Sequence, residues 1–116
     1  MDLTHVSDAD ILRIANPIMD NLMDASTRID YEAHVRDFTE RLHSMLPKHQ
    51  FEWICRDYQS SKGYLGERQT IAIFRRPDSV AVIWRQSFSQ QEGEFVAEMV
   101  LVQQDGRYRV DHVMVF

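Results

Sequence analysis

Apolar residues change their spacing once along this chain. Between Ile11 and Tyr58 they recur every three or four positions, and between Gln69 and Phe116 they fall into short runs that alternate in twos. The first period is that of helices with one buried face, the second that of strands. The helical part divides into three predicted segments, at about 8–25, 31–46 and 48–61. Ser7, followed three residues later by Asp10, resembles a capping box and opens the first, which buries Ile11, Ile14, Ala15, Ile18 and Leu22. Pro17 lies inside it and predicts a kink rather than a second start at Asn16. Asp30 caps the second helix, whose stripe is Tyr31, Val35, Phe38, Leu42 and Met45. Pro47 ends that helix and opens the third, which buries Phe51, Ile54, Cys55 and Tyr58 and stops at Gly63.

Four strands are predicted at about 69–75, 80–89, 94–103 and 107–116, with turns at Pro77-Asp78, at Gln91-Glu92-Gly93 and at Asp105-Gly106. Asp-Gly between alternating segments favours a tight hairpin. Connections this short predict an antiparallel meander. Alternation puts Val80, Val82, Trp84 and Phe88 on one side with Phe95, Ala97, Met99 and Leu101, and continues into Tyr108, Val110, His112, Met114 and Phe116. This bulky set is expected to meet the helices. The opposite side then carries Ile83, Val96, Val100, Val102, Val113 and Val115, an apolar surface larger than a monomer ordinarily leaves in water. It predicts a homodimer formed through the outer sheet face.

A chain of 116 residues with one cysteine and a net charge of −5 fits a single domain, 1–116, that needs neither disulfide nor metal to hold its core. The acidic balance argues against a nucleic-acid partner. No stretch has the length and hydropathy of a membrane span, and the amino terminus does not read as a signal peptide, so a cytoplasmic location is expected. Cys55, set among Phe51, Ile54 and Tyr58, reads as a small buried residue.

Candidate chemistry is sparse. His112, placed inward between Val110 and Met114, is the side chain best suited to acid or base work on a ligand, with Tyr31, Asp57 or Tyr58 of the helices as conceivable partners. Glu98 falls on the outer side, where a cross-strand pair with Arg85 or Arg109 is expected. The five histidines lack the spacing that brings two imidazoles to one ion, and His34 and His43 are expected on a solvated face, so no metal or other cofactor is expected. Trp84, Gln86, Tyr108 and His112 form the candidate ligand-binding set, a mostly apolar lining with a few polar groups.

Three helices followed by a four-stranded meander, with Asp30-Tyr31 opening the second helix, Gly63-Tyr64-Leu65 leaving the third and Gly106-Arg107-Tyr108-Arg109-Val110 opening the last strand, resemble the nuclear transport factor 2-like, cystatin-like superfamily. The likeness is to its small uncharacterised bacterial members. It implies an α+β cone, a cavity between helices and sheet, and frequent dimerisation through the sheet. Many activities share that fold, so it does not select one. The expected function is a non-catalytic domain binding a small apolar ligand or a protein partner. The alternative is a cofactor-independent isomerase or dehydratase with His112 as acid or base.

Overall fold

A computed structural model describes residues 2–116. The architecture is α+β: helices packed on one face of an open, four-stranded antiparallel sheet in the order β1-β2-β3-β4. Ser7 caps α1 (Asp8–Arg28), its hydroxyl accepting from the Asp10 amide at 3.1 Å. The helix runs through Pro17 without a second start and ends at Arg28, three residues beyond the expected point, capped by Ile29, whose φ of 55° and ψ of 50° are left-handed. Ile11, Ala15, Met19 and Leu22 form the stripe that packs on the sheet.

The predicted second helix is two short ones, α2 (Tyr31–His34) and α3 (Glu40–Met45). Asp30 caps α2 as expected, accepting from the Ala33 amide. The interruption is tertiary in origin. Phe38 makes a parallel bridge to Val110, with the Val110 amide donating to the Asp37 carbonyl at 2.7 Å and the Thr39 amide donating to the Val110 carbonyl at 2.9 Å. Thr39 then starts α3, its hydroxyl accepting from the Leu42 amide.

The last helix, α4 (Lys48–Lys62), buries Phe51 and Cys55 but leaves Ile54 41% exposed, so Ile54 is not part of its inner face. Gly63 ends α4 at φ 78° and ψ −141°. That conformation favours glycine, and a Cβ would collide with Ser89 Oγ and Gln90 Cγ.

The strands are β1 (Leu65–Arg75), β2 (Ser79–Phe88), β3 (Gln91–Gln104) and β4 (Arg107–Val115). The hairpin between β2 and β3 turns at Ser89-Gln90, two residues before the expected place. Between β3 and β4, Asp105 and Gly106 both have positive φ, 54° and 76°, as a two-residue hairpin of this kind requires. Val80, Val82, Trp84, Ala97, Met99, Leu101 and Val110 are buried beneath the helices, as the alternation predicts.

Beyond Val110 the prediction of faces fails. Leu101 opposes Val110 but Val100 opposes His112, so one extra residue, Asp111, is inserted into β4. A bulge of this kind reverses the alternation downstream of it. Val113 and Val115 therefore turn inward and pack on the core, against the expectation that they face outward. His112 and Met114 turn outward, and so does Phe116, which exchanges hydrogen bonds with Val96. Asp111 is held at the bulge by Thr39 Oγ1 at 2.9 Å and Arg41 Nε at 3.0 Å. Burial raises the pKa of its carboxyl, but these two hydrogen bonds outweigh it and leave the pKa lowered. A second irregularity, between Thr70 and Ala72, lifts Ile71 out of the ladder and leaves it 53% exposed.

The outer face of the sheet remains apolar with altered membership. Ile83, Val96, Val100 and Val102 stay on it, and Phe74, Met114 and Phe116 join them, the last three at least half exposed.

Candidate functional site

His112 does not face the helices. Its Nε2 donates to Glu98 Oε2 at 2.6 Å across the outer surface of β3 and β4. Glu98 thus pairs with neither Arg85 nor Arg109, and Arg85 reaches Glu94 (3.6 Å) and Gln69 instead. The groups expected to cooperate with His112 lie elsewhere. The Tyr31 hydroxyl donates to the Leu46 carbonyl at 2.6 Å, Tyr58 is bonded to Ser26 Oγ at 2.7 Å, and Asp57 is on the exposed side of α4. The structure therefore does not assemble the inward His112 pair that an acid/base mechanism would use.

Trp84 and Gln86 are both 1% exposed on the inner face, and Tyr108 is half-buried against the same core. The middle of the space between helices and sheet is filled by Met19, Leu22, Trp84, Met99 and Leu101. Recesses remain open at the margins, one of about 490 Å³ bordered by Thr39, Glu40 and Arg41 and by Gln104, Asp105, Arg109 and Asp111, and another at the flank between α1 and β1. The recess at this flank, of about 450 Å³, is lined by Asn16 and Asp20 from α1, Gly66, Glu67, Arg68 and Thr70 from β1, and Trp84 from β2. Gln86, Tyr108 and His112 are not among its lining residues, so of the expected set only Trp84 meets it. The lining is mostly polar rather than apolar.

Arg68 organises this recess. It sits opposite Gln86 in the ladder, one inward position from the Thr70–Trp84 pair. Its guanidinium carbon lies 5.3 Å from the centre of the Trp84 ring, a cation–π arrangement. Nη2 donates to the Asn16 carbonyl at 3.2 Å and to Asp20 Oδ1 at 2.7 Å. Arg68 Nε, Trp84 Nε1 and Gln86 Oε1 are buried with no hydrogen-bond partner among the described residues. An unpaired buried donor or acceptor costs about 1–3 kcal/mol, and native structures hold few of them. Sequence reasoning missed Arg68 because the predicted first strand starts one residue after it. The signal was a cation two residues before Thr70, on the side shared with Trp84.

The other buried polar side chains among the described residues have hydrogen-bond partners. The Ser26, Cys55 and Tyr58 side chains meet between α1 and α4, and Gln59 Nε2 donates to the Ser26 and Thr27 carbonyls at 3.2 Å. Burial raises the pKa of the Cys55 thiol, which keeps it protonated and unreactive. His34, expected on a solvated face, instead stacks on Phe51 with ring centres 4.5 Å apart and meets Phe38 edge-on. Among the described residues no group of His, Cys, Asp and Glu could hold a metal ion, and no helix is long and apolar enough to cross a membrane.

No protein-family model and no curated protein sequence matches the chain. Solved bacterial structures do match its fold. An NTF-2 like protein of unknown function from Silicibacter pomeroyi superposes with a TM-score of 0.64 at 12% identity, covering 96% of this chain and 98% of that one. A second protein of unknown function, from Methylobacillus flagellatus, gives 0.60 at 12% identity, covering 99% and 97%. A candidate calcium/calmodulin-dependent protein kinase type II association domain from Thiobacillus denitrificans gives 0.63 at 10% identity, covering 87% and 92%. The chain thus shares the fold of these NTF2-like proteins. Identities this low speak to fold and not to activity.

Proposed function

We propose that this chain is a non-catalytic domain that binds a small molecule in the recess between α1 and β1 and pairs with a second copy of itself through the outer sheet face. The observation that carries the binding reading is the pair of buried, unpartnered N–H groups on Arg68 and Trp84, two residues that line the recess. A folded chain ordinarily satisfies such groups. A ligand that accepts from them recovers the cost of leaving them bare. This moves the expected site away from Gln86, Tyr108 and His112, and changes the expected ligand from apolar to polar.

The test is mass spectrometry of protein purified under native conditions and then denatured. Wild type is expected to release a small molecule in stoichiometric amount, and Arg68→Gln to release about tenfold less, as the loss of one charge-assisted hydrogen bond implies. A wild-type sample with nothing to release, or an equal yield from Arg68→Gln, would count against the recess.

Self-association is supported by the outer face, where Phe74, Met114 and Phe116 are 54%, 50% and 58% exposed beside Ile83, Val96, Val100 and Val102. A two-fold pairing of this surface needs no other partner. Sedimentation is expected to show a dimer at micromolar concentration, and Val100→Arg is expected to sediment as a folded monomer. A monomeric wild type would remove the homodimer and leave the face to a different protein partner.

A further inference from the structure

We propose that the recess takes a compact carboxylate, and that a ligand also carrying an ammonium group is preferred there to a dicarboxylate. This rests on reading the recess as a binding site and goes on to the chemistry of its occupant. An indole nitrogen can only donate, as can a guanidinium nitrogen, so the missing partner of Trp84 Nε1 and of Arg68 Nε is an acceptor. The acceptor of Gln86 that also lacks a partner does not supply it, because Gln86 Nε2 is committed to the Gly66 and Ser87 carbonyls, both at 2.9 Å, and Oε1 bonds to neither donor.

Charge narrows the choice. Arg68 is the one cation among the lining residues, and it is countered by Asp20 and Glu67 in the same lining. A doubly charged phosphate or a dicarboxylate would bring two negative charges to one guanidinium and two carboxylates, whereas a single carboxylate is matched by Arg68 alone. The Asp20 side chain is 70% exposed while that of Arg68 is 15% exposed, so the carboxylate lies at the rim and the guanidinium within. Asp20 Oδ1 is bonded to Arg68 Nη2, so a ligand oxygen on Nε leaves that pair in place. The mostly exposed Asp20 carboxylate stays available at the rim to meet a cationic group at the other end of the ligand. At about 450 Å³ the recess lies toward the small end of the range for ligand sites. Arg68 is thus the specificity-determining residue, and Trp84 supplies both a second donor and a flat apolar wall.

The experiment is nitrogen-15 NMR of the intact chain, following the Trp84 indole N–H and the Arg68 Nε–H during titration with propionate, β-alanine, succinate, propylamine and propanol. The chain has two tryptophans, and Trp53, 65% exposed on α4, serves as the control indole. Propionate and β-alanine are expected to shift Trp84 and Arg68 saturably while Trp53 stays still, with β-alanine binding at least about tenfold tighter than succinate, the ratio that one unfavourable charge contact of about 1.4 kcal/mol produces. In Arg68→Gln the β-alanine affinity is expected to fall about tenfold. Trp84→Phe, followed through Arg68, repeats the measurement if Arg68→Gln folds poorly. Propylamine or propanol shifting Trp84 as strongly as propionate, or succinate binding tighter than β-alanine, would overturn the carboxylate class while keeping a recess that binds small molecules. Silence of Trp84 and Arg68 toward every probe, with natively purified protein that releases nothing, would overturn both.

Discussion

Replacing Trp84 with alanine is expected to lower the free energy of unfolding by about 3–5 kcal/mol, the range for removing a large aromatic from a packed interior. Trp84 is 1% exposed and opposes Ala97 on β3, so α1 and the neighbouring strands would have to collapse to fill the gap. Trp84→Phe is expected to lose well under half as much. It leaves a smaller void, and it also removes an indole N–H that has no acceptor, which offsets part of the lost packing. Urea denaturation of the three proteins checks both expectations. A phenylalanine variant as unstable as the alanine one would mean that the indole N–H is satisfied in solution and that the recess needs no further acceptor for it.

Acid is expected to destabilise the helical layer through His34. Burial pulls the pKa of its imidazole down from 6.5 to about 4, only partly opposed by the bond to the Leu22 carbonyl. A carbonyl only accepts, so Nδ1, 3.1 Å from it, carries the proton of the neutral ring. The unfolded chain takes up a proton near pH 6.5 and the folded chain not until about pH 4. Between those values the unfolded state binds more protons, so stability is full above pH 6.5 and falls as the pH drops toward 4, by up to about 3 kcal/mol from this one residue. The difference in unfolding free energy between wild type and His34→Gln, measured across that window, isolates this contribution from the carboxylates that titrate nearby. Parallel pH profiles for the two proteins would show that His34 is solvated.

Elements set by local pattern were legible in the sequence, and elements set by a distant partner were not. Ser7, Asp30, Pro47, Gly63 and the Asp105-Gly106 turn mark their boundaries through backbone chemistry within a few residues of themselves, and the structure has each of them. The stretch Val35–Thr39 kept its helical spacing, because Val35, Phe38 and Leu42 are apolar at the right intervals. It is nevertheless unwound by a bridge to Val110, which lies far along the chain. The bulge at Asp111 was hidden for a related reason. Val110 and Val113 are three apart, which signals an inserted residue, but Met114 and Phe116 made the unbroken alternation equally apolar. The one-residue slip carried His112 out of the expected site, and the site itself turned on Arg68, a charge that no periodicity marks.

The bridge between Phe38 and Val110 also decides where this sheet stops. An outermost strand offers bare amides and carbonyls to any passing extended chain. At Val110 both groups are already engaged, by Asp37 and Thr39. Β-strand addition at that point of β4 would require the Val35–Thr39 segment to be peeled away first. The opposite border, β1, is broken by two register shifts, at Leu65–Arg68 and at Thr70–Ala72, which spoil a continuous template. Growth of the sheet into fibres is thus obstructed on both borders by backbone geometry rather than by charge alone.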